Sequence, residues 1–412
     1  MNFDLAVVGG GPAGMGAAIT ASSAGAKVAV IDENSVLGGK LLGQLHEESN
    51  GWWIGKEVAE KLVNKAEKSK ITVYENREVW GIYPDWRVML NSGEALQAKY
   101  VLIATGAAEK AIPVPGWTLP GVMAIGAAQV LTNYHRVIPG KKVAIIGLDP
   151  LALTVSRELT MAGVKVAGIF LPPHSAFHHA NSTPESAIAY LSSLAHLAPS
   201  RFLRMAGKLA GYESVRQLAA RFYPSFGIRA WKSPLLLKRT VVEIMGENQV
   251  SGIKTMTVNN EGKPVAGSEK EYDVDCVCIS GGLYPLTESA NAAGCKSVYI
   301  EDLGGHVPLH SPQMETTKPG IFVAGNITGI ESAKVAMKQG ELAGVVISER
   351  LGLLDDAENR IRIAQDEVEK TREESSLSFQ PNINGGRKKL EQLWKNWLTV
   401  QGKGEMRNER NS

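Results

Sequence analysis

Gly9, Gly11 and Gly14 fall at G-x-G-x-x-G spacing within Asp4-Leu5-Ala6-Val7-Val8-Gly9-Gly10-Gly11-Pro12-Ala13-Gly14. Such a pattern does its chemistry with backbone. The first glycine permits a tight turn, the second lets the main chain approach a pyrophosphate, and the third lets helix and strand pack closely. The helix that follows, Met15 to Ala24, points its free N–H groups and positive dipole end at that phosphate. Ala26-Lys27-Val28-Ala29-Val30-Ile31 reads as a second strand ending in Asp32-Glu33. A carboxylate about 20 residues past the glycines can hold a ribose 2′-hydroxyl. The plain alternative is a tight turn with no ligand. The second strand and its carboxylates favour a bound dinucleotide.

Leu37-Gly38-Gly39-Lys40 is a further glycine turn where backbone could lie against that dinucleotide. A second strand–turn–helix starts at Lys142-Val143-Ala144-Ile145-Ile146-Gly147-Leu148-Asp149-Pro150-Leu151-Ala152, and here the fingerprint is damaged. Asp149 stands where close phosphate approach wants glycine, and Ala152 replaces the third glycine. A carboxylate at that spot adds a Cβ and a like charge, repelling phosphate by several kcal/mol at about 4 Å and intermediate dielectric. The expectation is a nucleotide-type domain kept as scaffold, with NAD(P) binding lost or weakened. An altered nucleotide mode is the alternative.

Three cysteines, none in a Cys-x-x-Cys pair, give neither a disulfide framework nor a cluster or metal site. Cys276 and Cys278 alternate on a strand, which suits buried structural thiols. His306 and His310 are separated by Pro308, so they do not share a helical face, and loop positions are expected. No nucleophile, metal set or acid–base dyad stands out, so no catalytic side chain and no metal ligand is assigned.

The elements that must position the glycine turns are legible from pattern. Glu57 to Lys68 has helical spacing and leads into Ile71 to Tyr74. Val79 to Ile82 and Trp86 to Leu90 alternate as antiparallel strands, with a turn at Asn91-Ser92-Gly93-Glu94. Tyr100 to Ala104 is an apolar strand ending at Thr105-Gly106-Ala107. Ser182 to Phe226 reads as largely helical, with Tyr190, Leu191, Leu194 and Leu197 at helical spacing. Phe202, Leu203, Met205, Leu209, Val215, Leu218 and Phe222 continue the apolar content, and Arg201, Arg204, Lys208, Arg216 and Arg221 decorate it. It is either a solvated insertion or a docking surface for a partner. Strands resume at Val241 to Ile244, Val250 to Val258 and Val274 to Ile279.

At 412 residues, 44% hydrophobic and 21% charged, the chain has room for two or three ordinary globular domains. A formal charge of +2 gives no support for nucleic-acid binding. No signal-peptide pattern precedes the first strand, and no apolar run approaches the roughly 18 residues of a membrane span. A cytoplasmic protein is expected, with a peripheral membrane contact left open but disfavoured.

The first-strand fingerprint joined to a strand ending Ala104-Thr105-Gly106 resembles the flavoproteins with two dinucleotide-binding domains. The stretch Pro113-Val114-Pro115-Gly116-Trp117-Thr118-Leu119-Pro120-Gly121-Val122 is similar to a narrower branch: the FAD subunits of opine oxidase, hydrogen cyanide synthase and dye-linked proline dehydrogenases. Read without the resemblance, it is an interdomain linker. Ser280-Gly281-Gly282-Leu283-Tyr284-Pro285 resembles the turn that ends the second domain of this group. Thr316 to Asn326 resembles its third FAD motif, with Asn326 in place of Asp.

The resemblance implies an α/β fold of two Rossmann-like, three-layer ββα dinucleotide-binding domains, the second inserted in the first, plus a helical C-terminal tail. Its boundaries would be 1–115 with 298–352 for FAD, 116–297 for the second domain with its helical insertion at about 182–226, and 353–412 for the tail. The cofactor-binding set comprises Gly9, Gly11, Pro12, Ala13, Gly14, Asp32, Glu33, Gly38, Gly39, Lys40, Val79, Thr105, Gly106, Gly325, Asn326 and Ala333. The Asn326 amide would bond a ribityl hydroxyl. The helix from about Ser332 to Leu351 would aim its positive end at the flavin ring. Thioredoxin reductase-like and glutathione reductase-like disulfide chemistry would need cysteine pairs that are absent. Several relatives carry a cysteine-rich cluster segment near the C-terminus, whereas this chain has no cysteine after Cys295, so any iron–sulfur cluster would sit on another chain.

The tail has its own pattern. Ala357, Ile361, Ala364 and Val368 form a narrow stripe suited to a partner helix. Leu390, Leu393, Trp394, Trp397 and Leu398 make an apolar face beside Arg387, Lys388, Lys389 and Lys395. That face could dock on another protein chain or an anionic membrane; protein docking is favoured because the neighbouring helix has a pairing stripe and no basic face. Order is expected to end near Gly402. The function implied is an FAD oxidoreductase subunit of a multi-subunit amino-acid or imino-acid (secondary amine) dehydrogenase or oxidase. Its partners would be a second flavoprotein subunit, with a small iron–sulfur subunit beside it. The alternatives are an NAD(P)H-dependent flavoprotein reductase and a non-catalytic FAD-containing assembly subunit.

Overall fold

The computed structural model describes residues 2–48, 51–69, 71–174, 181–193, 205, 212–230, 232–375 and 379–409, with side chains of the last helix to 401. The expected positions 194, 197, 201–204, 208 and 209 of the helical insertion lie outside the described residues. From the N-terminus, β1 (Asn2–Val8), α1 (Pro12–Ser23) and β2 (Val28–Ile31) form a βαβ unit. Next come a paired β3 (Leu45–Glu48) and β4 (Gly51–Ile54), then α2 (Gly55–Lys68), β5 (Thr72–Tyr74), β6 (Val79–Tyr83), β7 (Arg87–Leu90), β8 (Ala95–Ile103) and β9 (Ala107–Glu109). The pairing of β3 with β4 was not expected, because neither segment has a long apolar alternation.

The chain continues with β10 (Val122–Ala124), α3 (Ile125–Asn133), β11 (Lys142–Ile146), α4 (Pro150–Met161), β12 (Lys165–Leu171), α5 (Pro184–Ser193) and α6 (Glu213–Phe222). Then come β13 (Ile228–Ala230), β14 (Ser233–Met245), β15 (Gly252–Thr257), β16 (Lys270–Asp273) and β17 (Cys276–Ile279). The last stretch holds β18 (Leu283–Pro285), α7 (Glu288–Ala292), β19 (Ser297–Ile300), β20 (Gly305–Pro308), β21 (Ile321–Val323), α8 (Ala333–Arg350), α9 (Ala357–Glu373) and α10 (Ile383–Glu409).

These elements make two compact units. The first comprises residues 1–42, 54–108 and 283–412; the second comprises 43–53 and 109–282. The sheet of the first unit runs β5-β2-β1-β8-β7-β6, with β21 also pairing with β8. Val8 lies opposite both Ile31 and Ile103, and Ile103 lies opposite Val323, all in parallel register. The strands that end at the glycine turn, at Asp32, at Thr105 and at Asn326 therefore finish at one sheet edge, where α/β folds bind their ligands. Phe3, Ala6, Val8, Ile31, Ile103, Ile321 and Val323 share one core on this sheet.

In the second unit the sheet runs β10-β17-β11-β12-β14-β15-β16. Alternation on β17 sorts its residues cleanly. Cys276 and Cys278 join the core that holds Val143 and Ile145, while Val277 and Ile279 join the core that holds Ala144 and Ile146. All three cysteines are buried and free. Ala187 and Ile188 of α5 and Ala220 of α6 enter the first of these cores, so the described parts of the insertion are tied to the sheet.

Two tail expectations are corrected. α10 runs as helix to Glu409, beyond Gly402. Most of its apolar face is covered within the same unit: Leu390 is buried, and Leu393, Trp394 and Trp397 pack on Ile300, Leu303, Val307 and Leu309, while Leu398 stays exposed. The β19–β20 hairpin, unread in the sequence, supplies the apolar surface that this face requires.

Candidate functional site

α1 is built of small residues and is buried along most of its length, from Ala13 to Ala18 and at Ala21. That lets α8 cross it at backbone distance. A Cβ on Gly340 would meet the Ala13 carbonyl oxygen at 1.9 Å, and one on Gly344 would meet the Ala17 oxygen at 2.7 Å. A Cβ on Gly325 would meet the Ala13 Cβ at 2.8 Å. The turn after β21 thus lies against the start of α1, although 312 residues separate Ala13 from Gly325 in the sequence.

Gly9 has φ +105° and sits under the Ala104 carbonyl, where a Cβ would be 2.5 Å from oxygen; Gly14 would meet the Gly9 oxygen at 1.9 Å. Both are glycine for close packing. Gly11 differs, because nothing lies within 4 Å of where its Cβ would be. Gly11 is the N-cap of α1 and no side chain caps this helix. Pro12 has no N–H to satisfy, and the Ala13 and Gly14 amides face out of a helix end whose dipole favours an anion. The second glycine turn is laid on the first: Gly38 N–H donates to the Gly10 carbonyl at 2.9 Å. A Cβ on Gly39 would be 3.2 Å from the Gly11 Cα. Lys40 is exposed beside it.

The two carboxylates after β2 have separate situations. Asp32 is buried, and its Oδ2 accepts the Gly10 N–H at 2.6 Å. Its Oδ1 accepts from Asn34 N at 2.8 Å and from Asn34 Nδ2 at 2.9 Å. Glu33 is exposed. Arg77 N–H donates to the Asp32 carbonyl at 2.9 Å, which brings the approach to Val79 alongside the same turn. Thr105 Oγ1 donates to the Leu286 carbonyl at 2.8 Å, so its hydroxyl is engaged in the fold, and Gly106 takes φ +76°.

At the third strand end, Gly325 N–H donates to Gln339 Oε1 at 2.9 Å. The Asn326 Oδ1 accepts the Glu331 N–H at 3.2 Å, leaving its NH₂ as the group able to donate to a hydroxyl. Ser332 caps α8 by accepting from Val335 N at 3.4 Å, which puts Ala333 in the first turn. Gln339, Glu331 and Asn34 were missed in the sequence because each acts through a partner that no local spacing marks. His306 is exposed on β20, whereas His310 is buried with Nδ1 2.8 Å from the Ser311 carbonyl. Burial lowers His310 to about 4, with the charges of Arg387 and Arg372 acting in the same direction.

In the second unit the corresponding helix end is filled by its own chain. Asp149 is the N-cap of α4, and its Oδ1 accepts from Ala152 N at 2.7 Å. Its Oδ2 accepts from Ser280 Oγ at 2.7 Å and from Gly282 N at 3.1 Å. Burial pushes this carboxyl above its ordinary value, against the hydrogen bonds from Ala152, Ser280 and Gly282. Further along the same helix, Glu158 is buried between α3 and α4. Gln129 Nε2 donates to both its oxygens at 3.1 Å and Asn133 Nδ2 to one at 2.7 Å.

The first unit therefore has what a dinucleotide site at the Gly11 turn requires: open space, uncapped amides and a neighbouring glycine turn. The pyridine nucleotide-disulphide oxidoreductase family model matches residues 3–180 and 215–340. An opine oxidase subunit of Agrobacterium tumefaciens is 30% identical over 363 residues, covering 83% of this chain and 65% of that protein. Hydrogen cyanide synthase subunit HcnB of Pseudomonas protegens is 27% identical over 366 residues, covering 86% and 72%. This chain thus spans about two thirds of the length of these relatives. Among solved structures, L-proline dehydrogenase from P. horikoshii shares the fold with a TM-score of 0.63 at 21% identity, over 89% of this chain and 59% of that one. Thioredoxin reductase from T. acidophilum does so with 0.58 at 21%, over 85% and 99%.

Proposed function

The chain belongs to the pyridine nucleotide-disulphide oxidoreductase family, and on that premise we propose that this FAD-dependent oxidoreductase is one subunit of a multi-chain dehydrogenase or oxidase. Its substrate class is an amino acid, imino acid or related secondary amine, and its electrons leave through a partner chain. The single observation that carries this reading is the contrast between two helix ends. α1 is uncapped and open at Gly11, whereas α4 is closed by the Asp149 carboxylate. One nucleotide site is available and the other is filled from within.

FAD, when bound, supplies the two-electron chemistry. The chain's own residues bind and orient it. The Ala13 and Gly14 amides would hold the pyrophosphate, with Gly38, Gly39 and Lys40 beside the same turn, and Glu33 would take ribose hydroxyls. Asp32 holds the Gly10 backbone and, with Glu33, would line the ribose. Val79, Thr105, Gly106, Gly325 and Asn326 would line the rest of the cofactor. Ala333 presents the positive end of α8, which favours negative charge on the reduced ring. Disulfide exchange is not the chemistry proposed, since Cys276, Cys278 and Cys295 are all buried and none has a disulfide partner.

Partner subunits are supported by the relatives, which are named as subunits themselves. A second flavoprotein chain and a small iron–sulfur chain fit this reading. Among the described residues no helix is long and apolar enough to cross a membrane. The test is an anaerobic titration of the purified, FAD-loaded protein with NADH and NADPH, followed by a panel of amino and imino acids on the copurified complex. No bleaching by nicotinamide and bleaching by an amine donor is the expected result. Rapid bleaching at micromolar nicotinamide nucleotide would overturn the reading in favour of an NAD(P)H-dependent reductase.

A further inference from the structure

The turn after Gly325 is held from outside every glycine motif. Gly325 N–H reaches Gln339 Oε1 at 2.9 Å, and Thr328 Oγ1 reaches the Gly325 carbonyl at 2.9 Å. Gln339 Nε2 then donates to Glu331 Oε2 at 3.1 Å. The Glu331 side chain is 5% exposed, and its oxygens are taken by two guanidinium groups from the tail. Arg372 of α9 donates from Nε at 2.5 Å, and Arg387 of α10 pairs with the other oxygen. Arg387 also donates from Nη1 to the Thr328 carbonyl at 2.8 Å. A Cβ on Gly329 would be 3.2 Å from Arg387 Nη2, so tail and turn are in direct contact.

These bonds form one connected path from the C-terminal helices to the Gly325 amide. A buried carboxylate without its cations is strongly unfavourable, so the conformation of 325–332 depends on α9 and α10 being seated. The seat is apolar, with Leu390 and Trp394 on Leu303 and Val307. Each helix contributes one cation to the same carboxylate, which ties the pair to the turn more tightly than a surface stripe would.

We propose that the C-terminal helices clamp the Gly325–Asn326 turn, with Glu331, Arg372, Arg387 and Gln339 acting as positioning residues for FAD. The proposal rests on the reading of Gly325 and Asn326 as part of the FAD site. It gives the tail a role in the cofactor unit itself.

The test uses the full chain as unaltered protein, Arg387→Met, Arg387→Lys and Leu96→Ala, the last a buried core residue on β8 in the same unit. FAD affinity is read by fluorescence titration of the apo-protein, backbone order by amide exchange over 325–332, and stability by Tm. The clamp requires that Arg387→Met weakens FAD by about tenfold or more and speeds exchange of the Gly325 amide. Arg387→Lys should recover part of both. Leu96→Ala should lower Tm while changing FAD affinity by less than about threefold. If Arg387→Met fails to fold, Gln339→Leu breaks the same path without stranding a cation and should show the same weakening. Unchanged exchange and affinity in Arg387→Met or Gln339→Leu, or an equal loss of affinity in Leu96→Ala, overturns the clamp while leaving FAD binding intact. An unaltered chain that binds no FAD, with exchange still responsive to Arg387, overturns the cofactor reading instead.

Discussion

The Asp32 carboxylate accepts the Gly10 N–H at 2.6 Å, so the acid that ends β2 holds the glycine turn in shape. Glu33, one residue on, is the exposed carboxylate of the pair. Asp32→Asn is expected to lower stability by about 1.5–3 kcal/mol, the worth of a charge-assisted hydrogen bond. Glu33→Gln should leave stability within about 0.5 kcal/mol and weaken FAD by roughly tenfold. Thermal unfolding and flavin titration on both variants check the division of roles.

Gly11 and Gly340 make a second contrast. Gly11 has ordinary φ −76° and open space at its Cβ position. Gly11→Ala should keep the apo-protein's Tm and abolish FAD binding, because the methyl enters the space reserved for pyrophosphate. Gly340→Ala places a methyl against the Ala13 oxygen and should destabilise the apo-protein by about 1–3 kcal/mol through overpacking. Equal FAD content in Gly11→Ala and unaltered protein would refute the placement.

Asp149 is expected to be the bar to nicotinamide nucleotides. Asp149→Gly removes the carboxyl that fills the α4 end and should raise NADH or NADPH affinity at least about tenfold. It should also destabilise the fold by about 1–3 kcal/mol, because the hydrogen bonds to Ser280 and Gly282 are lost with the cap. Equilibrium dialysis of both nucleotides against unaltered and variant protein decides the matter.

Glu158 carries a pH signature. Burial pushes its carboxyl up to about 8, against the amides of Asn133 and Gln129 and the charge of Arg157. The folded chain keeps this proton until about pH 8, whereas an unfolded chain releases it near its ordinary value of 4.5. The folded state binds more protons through that window. Its stability should therefore fall as pH rises from about 5 to 8, by at most about 1.4 kcal/mol per pH unit. Glu158→Gln should flatten the slope, with the variant gaining on the unaltered protein toward pH 8. Denaturant unfolding at about pH 5, 6.5 and 8 measures it.

Much of the site was legible in the sequence because its determinants are local. A strand, a glycine turn and a small-residue helix between Asp4 and Ser23 follow from spacing within a few turns of chain. So do the strand at Val28–Ile31 and the alternation of Cys276 with Cys278. What stayed hidden depends on partners far along the chain. Asp149 could be read as an obstacle at a phosphate position. Its cap on α4 is a local bond from Ala152 N, but that its other oxygen is taken by Ser280 and Gly282, 131 and 133 residues away, no local spacing could show.

The tail shows the same division. Its sequence determined that Leu390, Leu393, Trp394 and Trp397 form a face that must leave water, and that Arg372 and Arg387 are cations on helices. Only the tertiary structure decided that the face closes on β19 and β20 and that both cations converge on Glu331. Hydrophobic burial has no direction and names no partner, whereas a buried carboxylate accepts whichever cations the fold can bring within hydrogen-bonding distance.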